Sequence, residues 1–336
     1  MFDPTNNSDD GLHVSNAYGN GDFMSTADVN NDGFLDLFYH LGDGRLFLSN
    51  GDGTFTWNNS GISVLTGNSD KTGSAWGDYD NDGDMDLWMS RYDSGQAGYL
   101  FRNDGVVGGS VSFTEVSSAA GLNDIGNQRG CAWGDYDNDG DLDLAIAREG
   151  QGLIVYENLG DGTFATSSAF PSISGAVGDV CFVDVDDDGD LDVSVSRHKD
   201  DAALLINGTN DDRFLLVDYR GGDGVNGIGN GVRLELWSDD NGSFIARREI
   251  GIARGYGGQE PLRAHFGGVS PATQYTLRVY EPGDASPRLI KVRPGSVSTT
   301  FGAATISQLY TVEESSAPGD VRVVRWREMS PIGEDE

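Results

Sequence analysis

The sequence predicts an all-β fold made of four repeated sheet units followed by a smaller β domain, and three observations lead to this prediction. An acidic nonapeptide occurs four times, and its copies start 50, 57 and 49 residues apart. Short apolar segments without helical periodicity lie between the copies. Asn-Gly or Asp-Gly turns recur among these segments. A repeat of this length with four short strands is typical of the blades of a β-propeller.

Each unit is predicted to contain a strand, a hairpin, a further strand, a connection and a strand that leads into the next nonapeptide. In the first unit the strands are residues 36–40, 45–48, 54–57 and 73–77. The turn that begins at Asn50 joins two apolar runs, which is the strongest short-range signal for a hairpin. The second unit is longer, and about five extra residues are predicted to lie in its hairpin tip, within 106–112.

The four nonapeptides span residues 28–36, 78–86, 135–143 and 184–192. They share Asp or Asn at positions one, three and five, Gly at position six and Asp at position nine. Carboxylates spaced in this way repel one another unless a cation lies among them. Calcium takes about six to eight oxygen ligands at ~2.3–2.6 Å, which a tight loop can supply. Glycine at position six permits the sharp turn around the ion.

The nonapeptides have two other interpretations. Solvated turns are also rich in Asp, Asn and Gly, but four copies with identical spacing favour metal binding. An EF-hand is excluded, because it requires a bidentate Glu at position 12 and flanking helices. We therefore predict about four calcium ions, one in each loop.

The predicted ligands come from the side chains at positions one, three, five and nine and from the backbone carbonyl at position seven. The first site is expected to be the weakest, because Asn30 replaces an Asp and Phe34 brings no charge. The predicted ligands are Asp28, Asn30, Asp32, Phe34, Asp36, Asp78, Asp80, Asp82, Asp84, Asp86, Asp135, Asp137, Asp139, Asp141, Asp143, Asp184, Asp186, Asp188, Asp190 and Asp192.

The chain is strongly acidic, and the acidity is concentrated in its first part. The formal net charge is −32, and residues 1–210 hold 36 acidic but only 8 basic side chains. The nonapeptides alone hold 19 Asp, so much of the charge is explained by local metal binding. Nucleic acid is not an expected partner, because phosphate neutralisation requires clusters of Lys and Arg.

The sequence also bears on location. No apolar run approaches the ~20 residues needed to span a bilayer, so membrane insertion is not expected. The first residues lack the charged-then-apolar pattern of a signal peptide, and the chain is interpreted as a mature form without its leader. Calcium is too scarce in the cytosol to fill weak sites. An extracellular, cell-surface or periplasmic location is therefore predicted, and the oligomeric state is left open.

Residues 213–313 are predicted to form the second β domain. Apolar and polar residues alternate over 213–219, 231–237, 275–280 and 288–293, as they do in half-buried antiparallel strands. A small β-sandwich packed against the propeller is the expected arrangement. Residues 314–336 lack clear periodicity and are assigned as a C-terminal tail.

These motifs resemble two known families. Residues 17–212 resemble the FG-GAP/VCBS repeats of integrin-type calcium β-propellers. Residues 213–313 resemble the ASPIC/UnbV domain in four ordered landmarks, at 226–232, 255–259, 265–267 and 277–283, although the sequence departs from that family at Asn230 and at 280–282. The resemblance implies a calcium propeller followed by a second β domain, because ASPIC/UnbV domains commonly follow such repeats.

The sequence shows no convincing catalytic or organic-cofactor site. The four histidines share no metal-ligand spacing, and His265 is the best single candidate only because it matches a family landmark. Trp76 and Trp133 precede two loops at equivalent positions and are interpreted as core, with a sugar-stacking surface as the alternative. We therefore favour a calcium-binding interaction or adhesion module for a protein or glycan. The alternative is a calcium-dependent propeller enzyme acting on a polysaccharide or small molecule.

One further expectation concerns closure of the ring. The segment 22–27 precedes the first loop and has no unit of its own. It is predicted to pair with the fourth unit and to supply a missing strand, so that no sheet edge is left free. The alternative is an open arc whose ends are covered by the C-terminal domain or by another chain.

Overall fold

The computed structural model of the chain describes residues 24–39, 44–58, 61–62, 70–92, 95–198, 201–209, 213–220, 229–239, 242–254, 258, 261–284, 286–292, 294 and 320–324. This part of the chain is built from strands and loops and contains no α-helix. It accordingly holds no helix with the length and apolar character needed to cross a membrane. The family landmarks predicted at 226–228 and 255–257 lie outside the described residues.

The strands of the first part of the chain are β1 (Met24–Ala27), β2 (Asp36–Tyr39), β3 (Arg45–Ser49), β4 (Phe55–Asn58), β5 (Asp70–Gly77), β6 (Asp86–Tyr92), β7 (Tyr99–Val107), β8 (Ser110–Glu115), β9 (Gln128–Gly134), β10 (Asp143–Arg148), β11 (Gly152–Asn158), β12 (Phe164–Thr166), β13 (Val177–Val183), β14 (Asp192–Arg197) and β15 (Ala203–Leu205). The strands of the second part are β16 (Leu215–Arg220), β17 (Arg233–Ser238), β18 (Phe244–Glu249), β19 (Arg263–Phe266), β20 (Tyr275–Tyr280), β21 (Arg288–Val292) and β22 (Asp320–Val324).

Four successive antiparallel sheets form the first part, and each contains one nonapeptide. Their orders are β1-β2-β3-β4, β5-β6-β7-β8, β9-β10-β11-β12 and β13-β14-β15. In every sheet the nonapeptide joins the first two strands. The extra residues of the second unit lengthen the β7–β8 hairpin, where Val107 pairs with Ser110. This position confirms the insertion predicted at the hairpin tip.

The prediction that segment 22–27 pairs with the fourth unit is wrong for its described residues. β1 pairs with β2 in the first sheet, where Ala27 lies opposite Asp36. The nonapeptide itself causes this pairing, because Oδ2 of Asp36 accepts a hydrogen bond from the backbone N–H of Val29 at 3.0 Å. Each sheet therefore begins with the strand before its loop, whereas the sequence analysis placed that strand at the end of the preceding unit.

Neighbouring sheets are joined by an Asn on the third strand or just beyond it, which is buried in the second and third sheets and half-buried in the fourth. Nδ2 of Asn103 donates to the carbonyl of Val29 in the first loop at 2.9 Å and to that of Met85 in its own loop at 3.2 Å. Asn158 and Asn207 make the same pair of bonds in the next two sheets. The first strands β1, β5, β9 and β13 contact one another in chain order. The four sheets therefore lie side by side.

Replacing Asn103 with Ala is expected to lower the free energy of unfolding by about 1–3 kcal/mol. The side chain is fully buried, and its loss leaves two buried carbonyls without their donor. Urea denaturation would measure the change. Asn50→Ala is the matched control, because the side chain of the exposed Asn50 bonds Thr54 and Thr56 of its own hairpin, and the substitution should change stability by less than about 0.5 kcal/mol. Equal effects of the two substitutions would contradict the inter-sheet role.

The two tryptophans before the loops lie in the core between sheets. Trp76 and Trp133 are 2% and 5% exposed. Trp76 meets Phe38 of the first sheet edge-on, and Trp133 stacks on Tyr79 of the second with ring centroids 6.1 Å apart. The indole N–H of Trp133 donates to the carbonyl of Ala75 at 3.1 Å. The interpretation as core residues is therefore confirmed.

The second part of the chain forms two further antiparallel sheets. Their orders are β19-β16-β22 and β18-β17-β20-β21. Val217 of the first sheet and Leu234 and Leu277 of the second belong to one buried apolar cluster, as in a sandwich. β22 lies within the predicted tail, yet Val323 pairs with Val217. Part of the tail is therefore a sheet strand, which the sequence analysis did not predict.

Candidate metal centres

The four nonapeptides fold into the same loop conformation. The residue at position four has a left-handed backbone in each, with φ between 54° and 61°, and the Gly at position six has φ between 87° and 107°. The residues at position four are Asn31, Asn81, Asn138 and Asp187. Gly adopts this conformation without strain, and Asn and Asp tolerate it best among the other residues. Two such residues bend the nine-residue segment back on itself.

The Asp side chains at positions one and nine hold each loop closed, as the third loop shows. Oδ2 of Asp135 accepts the N–H of Gly140 at 3.0 Å. Oδ2 of Asp143 accepts the N–H of Tyr136 at 3.0 Å, and its Oδ1 accepts that of Asn158 at 2.9 Å. The other loops repeat these three bonds. The ninth residue thus ties the loop to the third strand.

The carboxylates at positions one, three and nine converge in the second, third and fourth loops. Their oxygens lie within 4.8 Å of one another in each of three clusters, which are Asp78, Asp80 and Asp86; Asp135, Asp137 and Asp143; and Asp184, Asp186 and Asp192. One buried oxygen in each cluster has no hydrogen-bond partner, namely Oδ1 of Asp78, of Asp137 and of Asp184. Carboxylate oxygens are the ligands that hard cations prefer. These clusters could therefore hold a metal ion, and the unpartnered oxygens fit a ligand role.

The predicted ligands at position five also make a bond within their own loops. Oδ1 of Asp139 accepts the backbone N–H of Asp141 at 2.9 Å, and the other three loops contain the same bond. The three-acid clusters do not include this residue. In the second, third and fourth loops the structure therefore brings positions one, three and nine together, while position five accepts the backbone N–H of position seven. The ligand role of position five stays a prediction.

Burial raises the pKa of the loop carboxyl groups. The pKa reaches about 7 for Asp78 and Asp135, about 8 for Asp36 and about 6 for Asp80 and Asp137. Loss of hydration is the largest cause in each case, and neighbouring carboxylates raise the pKa further. A divalent cation among these groups would favour their ionised forms and remove both penalties.

The first loop differs from the others. Asn30 occupies position three, and Nη1 of the buried Arg233 donates to Oδ2 of Asp28 at 3.2 Å and to Oδ1 of Asn31 at 3.1 Å. A guanidinium therefore already compensates part of the negative charge of this loop. This contact supports the expectation that the first site is the weakest, which stays a prediction.

The loops are linked to one another by side-chain bonds that the sequence analysis missed. In each link Nδ2 of the Asn at position four donates to Oδ1 of the Asp at position seven in the next loop. The three links are Asn31 to Asp84 at 2.6 Å, Asn81 to Asp141 at 2.7 Å and Asn138 to Asp190 at 2.7 Å. Only a backbone role had been assigned to position seven. The sequence does contain a signal for these links: Asn recurs at position four of a loop, and Asp recurs at position seven of the loop that follows it.

The series of links changes at both ends. No nonapeptide precedes the first loop in this sequence, and Phe34 occupies its seventh position. Its ring lies beside Gly283 of the second part. In the fourth loop Asp187 occupies position four, and Oδ1 accepts a bond from Nη1 of Arg263 at 2.7 Å. Residues of the second part therefore stand where a neighbouring loop would otherwise lie.

The second part of the chain packs against all four loops. In each loop a backbone carbonyl is hydrogen-bonded to a residue of the second part. In the first and third loops the partners are backbone N–H groups: Gly283 bonds the carbonyl of Gly33 at 2.8 Å, and Gly268 bonds that of Asn138 at 2.9 Å. In the second and fourth loops they are side chains: Arg247 Nη1 bonds the carbonyl of Gly83 at 3.0 Å, and His265 Nε2 bonds that of Gly189 at 2.9 Å. Burial lowers the pKa of His265 to about 4, so this side chain is a neutral packing contact near neutral pH. The candidate metal centres lie at an interface within the chain.

Comparison with known proteins agrees with the repeat pattern. A family model described as the FG-GAP-like repeat matches residues 28–89 and 135–195. No curated protein matches the chain significantly. A solved structure described as specific recognition of non-reducing terminal N-acetylglucosamine by an Agrocybe aegerita lectin is 15% identical, covers 81% of this chain and 80% of that chain, and has a TM-score of 0.37. Each family match begins at the first Asp of a loop and contains two loops, so the chain carries FG-GAP-like repeats at these two places.

Proposed function

We propose that this chain is a calcium-stabilised recognition module of the β-propeller type, which binds a protein or a glycan. The observation that carries the proposal is the placement of the acidic clusters. They lie in loops beneath the second part of the chain, where a cation would hold loops, sheets and the second domain together. Carboxylates and backbone carbonyls form an all-oxygen ligand set, which suits calcium.

The proposal extends to the number of ions, the second domain and the location. One calcium ion is assigned to each loop, about four in all, with carboxylates at positions one, three and nine at its centre. The second domain is assigned to the ASPIC/UnbV type from its landmarks around His265 and 277–283. An extracellular, cell-surface or periplasmic location is proposed, because weak calcium sites fill where calcium is abundant.

We assign ligand binding to the end of the sheets opposite the loops. A groove of about 420 Å³ lies there between the third and fourth sheets, and Arg129, Glu149, Ser196 and His198 are among its lining residues. Arg129 is paired with Glu149, and its guanidinium lies 4.4 Å from the ring centroid of Tyr92. Fixed polar groups of both charges suit a ligand rich in hydroxyl and amide groups.

Screening the calcium-loaded chain on a glycan array and a panel of surface proteins tests this function. We expect the chain to retain a ligand on the array, and we expect excess EDTA to abolish this binding. Gly178→Gln should weaken the binding by at least about tenfold, because blocking the pocket removes ~1.4 kcal/mol or more of binding free energy. Gly178 lines the groove, and a Cβ there meets only ordinary contacts, so the new side chain should fill the groove without unfolding the sheet.

Gly208→Gln is the matched control, because a Cβ at Gly208 has open space and the residue does not line the groove. Binding that both substitutions leave unchanged would move the recognition surface elsewhere. The absence of any retained glycan or protein would contradict the recognition function itself.

A further inference from the structure

A large cavity lies between the loop end of the sheets and the second domain. Its volume is about 580 Å³. Trp76, Trp133 and Phe182 line it from the first strands of three successive sheets, and Leu216 and Ile252 line it from the second domain. Its walls are therefore mainly apolar and aromatic. The volume falls within the ~300–1,000 Å³ of ordinary small-molecule pockets.

Arg248 on β18 brings a positive charge to this cavity. Nε donates to the carbonyl of His265 at 2.9 Å, and Nη1 donates to the carbonyl of Arg247 at 2.8 Å. These two bonds fix the plane of the guanidinium. Nη2 has no hydrogen-bond partner, and within the described residues the guanidinium forms no ion pair.

Four of the other charged groups around the cavity are paired. Arg247 bonds Glu249 at 3.0 Å, and Arg263 bonds Asp187 at 2.7 Å. His265 is neutral near neutral pH, because burial lowers its pKa to about 4. Among the described residues, Arg248 is therefore the arginine of this cavity that has no ion pair, and its guanidinium lies 5.4 Å from the ring centroid of Phe266.

The first-position aspartates of three loops also line the cavity. Their Oδ2 atoms accept glycine N–H bonds within their own loops, so they are held in the loop conformation. One calcium ion in each loop, as proposed above, would offset two of that loop's negative charges and would engage the carboxylates that otherwise attract Arg248, Asp135 foremost. The missing hydrogen-bond partner of Nη2 does not depend on calcium. A buried cation without a partner is destabilising unless an anion meets it.

We propose that this cavity binds one aromatic or apolar monocarboxylate. Its carboxylate pairs with the guanidinium of Arg248, and its apolar body contacts the wall formed by Trp76, Trp133 and Phe182. The unpartnered Nη2 of this fixed guanidinium suits a carboxylate, because it can donate a charge-assisted hydrogen bond to a carboxylate oxygen. Leu262, which is 43% exposed and lines the cavity, marks the side from which a ligand would enter.

Fluorescence titration of the calcium-loaded full chain with pyrenebutyrate tests the proposal, with pyrenebutanol as the uncharged probe of the same shape. We expect one saturable site per chain for the carboxylate and energy transfer from tryptophan to the bound pyrene. Arg248→Met should weaken carboxylate binding by at least about tenfold, because it removes a hydrogen bond between two charged groups. The same substitution should change binding of the alcohol by less than about twofold.

Two variants serve as controls. Arg248→Lys keeps the charge and should retain part of the preference for the carboxylate, and Arg102→Met removes an exposed arginine that does not line the cavity. Equal weakening of both probes by Arg248→Met would overturn the role of the guanidinium. If Arg248→Met fails to fold, titration of the wild-type chain with the two probes still tests the proposal. Absence of a saturable site, or equal affinity for both probes, would overturn it.

Discussion

Removing calcium with EDTA is expected to lower the thermal midpoint of unfolding by tens of degrees. If each loop binds calcium with a dissociation constant of ~0.1 mM, then at ~5 mM calcium each site adds about 2.3 kcal/mol, provided that the unfolded chain binds none. Four independent sites add roughly 9 kcal/mol, which is comparable with the net stability of a whole domain. A shift of ~20 °C follows if each kcal/mol moves the midpoint by about 2 °C.

The structure gives the physical reason for this effect. Three clusters bring carboxylates within 4.8 Å of one another, and each contains a buried oxygen without a partner. Without a cation, burial raises the pKa of Asp78, Asp135 and Asp184 to about 7. At neutral pH these groups are therefore partly ionised in a buried place, which destabilises the folded chain. The loops also contact the second domain, so their loosening would weaken the interface as well.

Differential scanning calorimetry with and without EDTA would measure the shift, and isothermal titration would count the sites. We expect four sites, with the first loop the weakest. Asp186→Asn should remove one site, whereas Asp161→Asn, which changes an exposed hairpin carboxylate that bonds Thr163, should remove none. A melt unchanged by EDTA, or fewer than three sites, would count against structural calcium.

The local structure of the first part could be predicted from the sequence because its signals are local. Gly33 and its equivalents at position six require a left-handed backbone, and the Asn-Gly and Asp-Gly turns fix hairpins such as the one at Asn50. The position of the extra residues in the β7–β8 hairpin followed from counting the distance between Asn103 and Phe113. Each of these features is decided by a few neighbouring residues and therefore needs no knowledge of tertiary contacts.

Most of the features that the sequence did not predict depend on contacts between distant segments. The exception is β1, whose place in the first sheet is decided by a bond between Asp36 and Val29, seven positions apart, which spacing alone does not show. The links between loops join residues about 50 positions apart, such as Asn31 and Asp84. The docking of Arg247 against the first two loops is equally non-local. Periodicity identifies which residues are buried, but it does not show which of them meet.

Arg247→Met is expected to lower the free energy of unfolding by about 3–5 kcal/mol, because it leaves a buried carboxylate without its partner. The Arg247 side chain is fully buried and joins three regions of the chain. Nη2 donates to the carbonyl of Asp28 at 2.8 Å and to Oε2 of Glu249 at 3.0 Å, while Nη1 donates to the carbonyl of Gly83 at 3.0 Å and to Asn31. Urea denaturation of the calcium-loaded chain would measure the loss.

A double-substitution cycle separates the ion pair from the packing. Glu249 is buried, and its pKa is raised to about 7 by that burial. Once Arg247 is Met, replacing Glu249 with Gln should therefore restore part of the lost stability, because the buried carboxylate that lost its partner is then replaced by an uncharged group. Arg102→Met is the control on the surface: its partner Asp104 is reached by solvent, so the loss should stay below about 1 kcal/mol. If Arg247→Met costs no more than this control, the guanidinium does not hold the second domain against the loops. A large loss that Glu249→Gln partly reverses would instead show that the interface depends on a buried ion pair at the first two acidic loops.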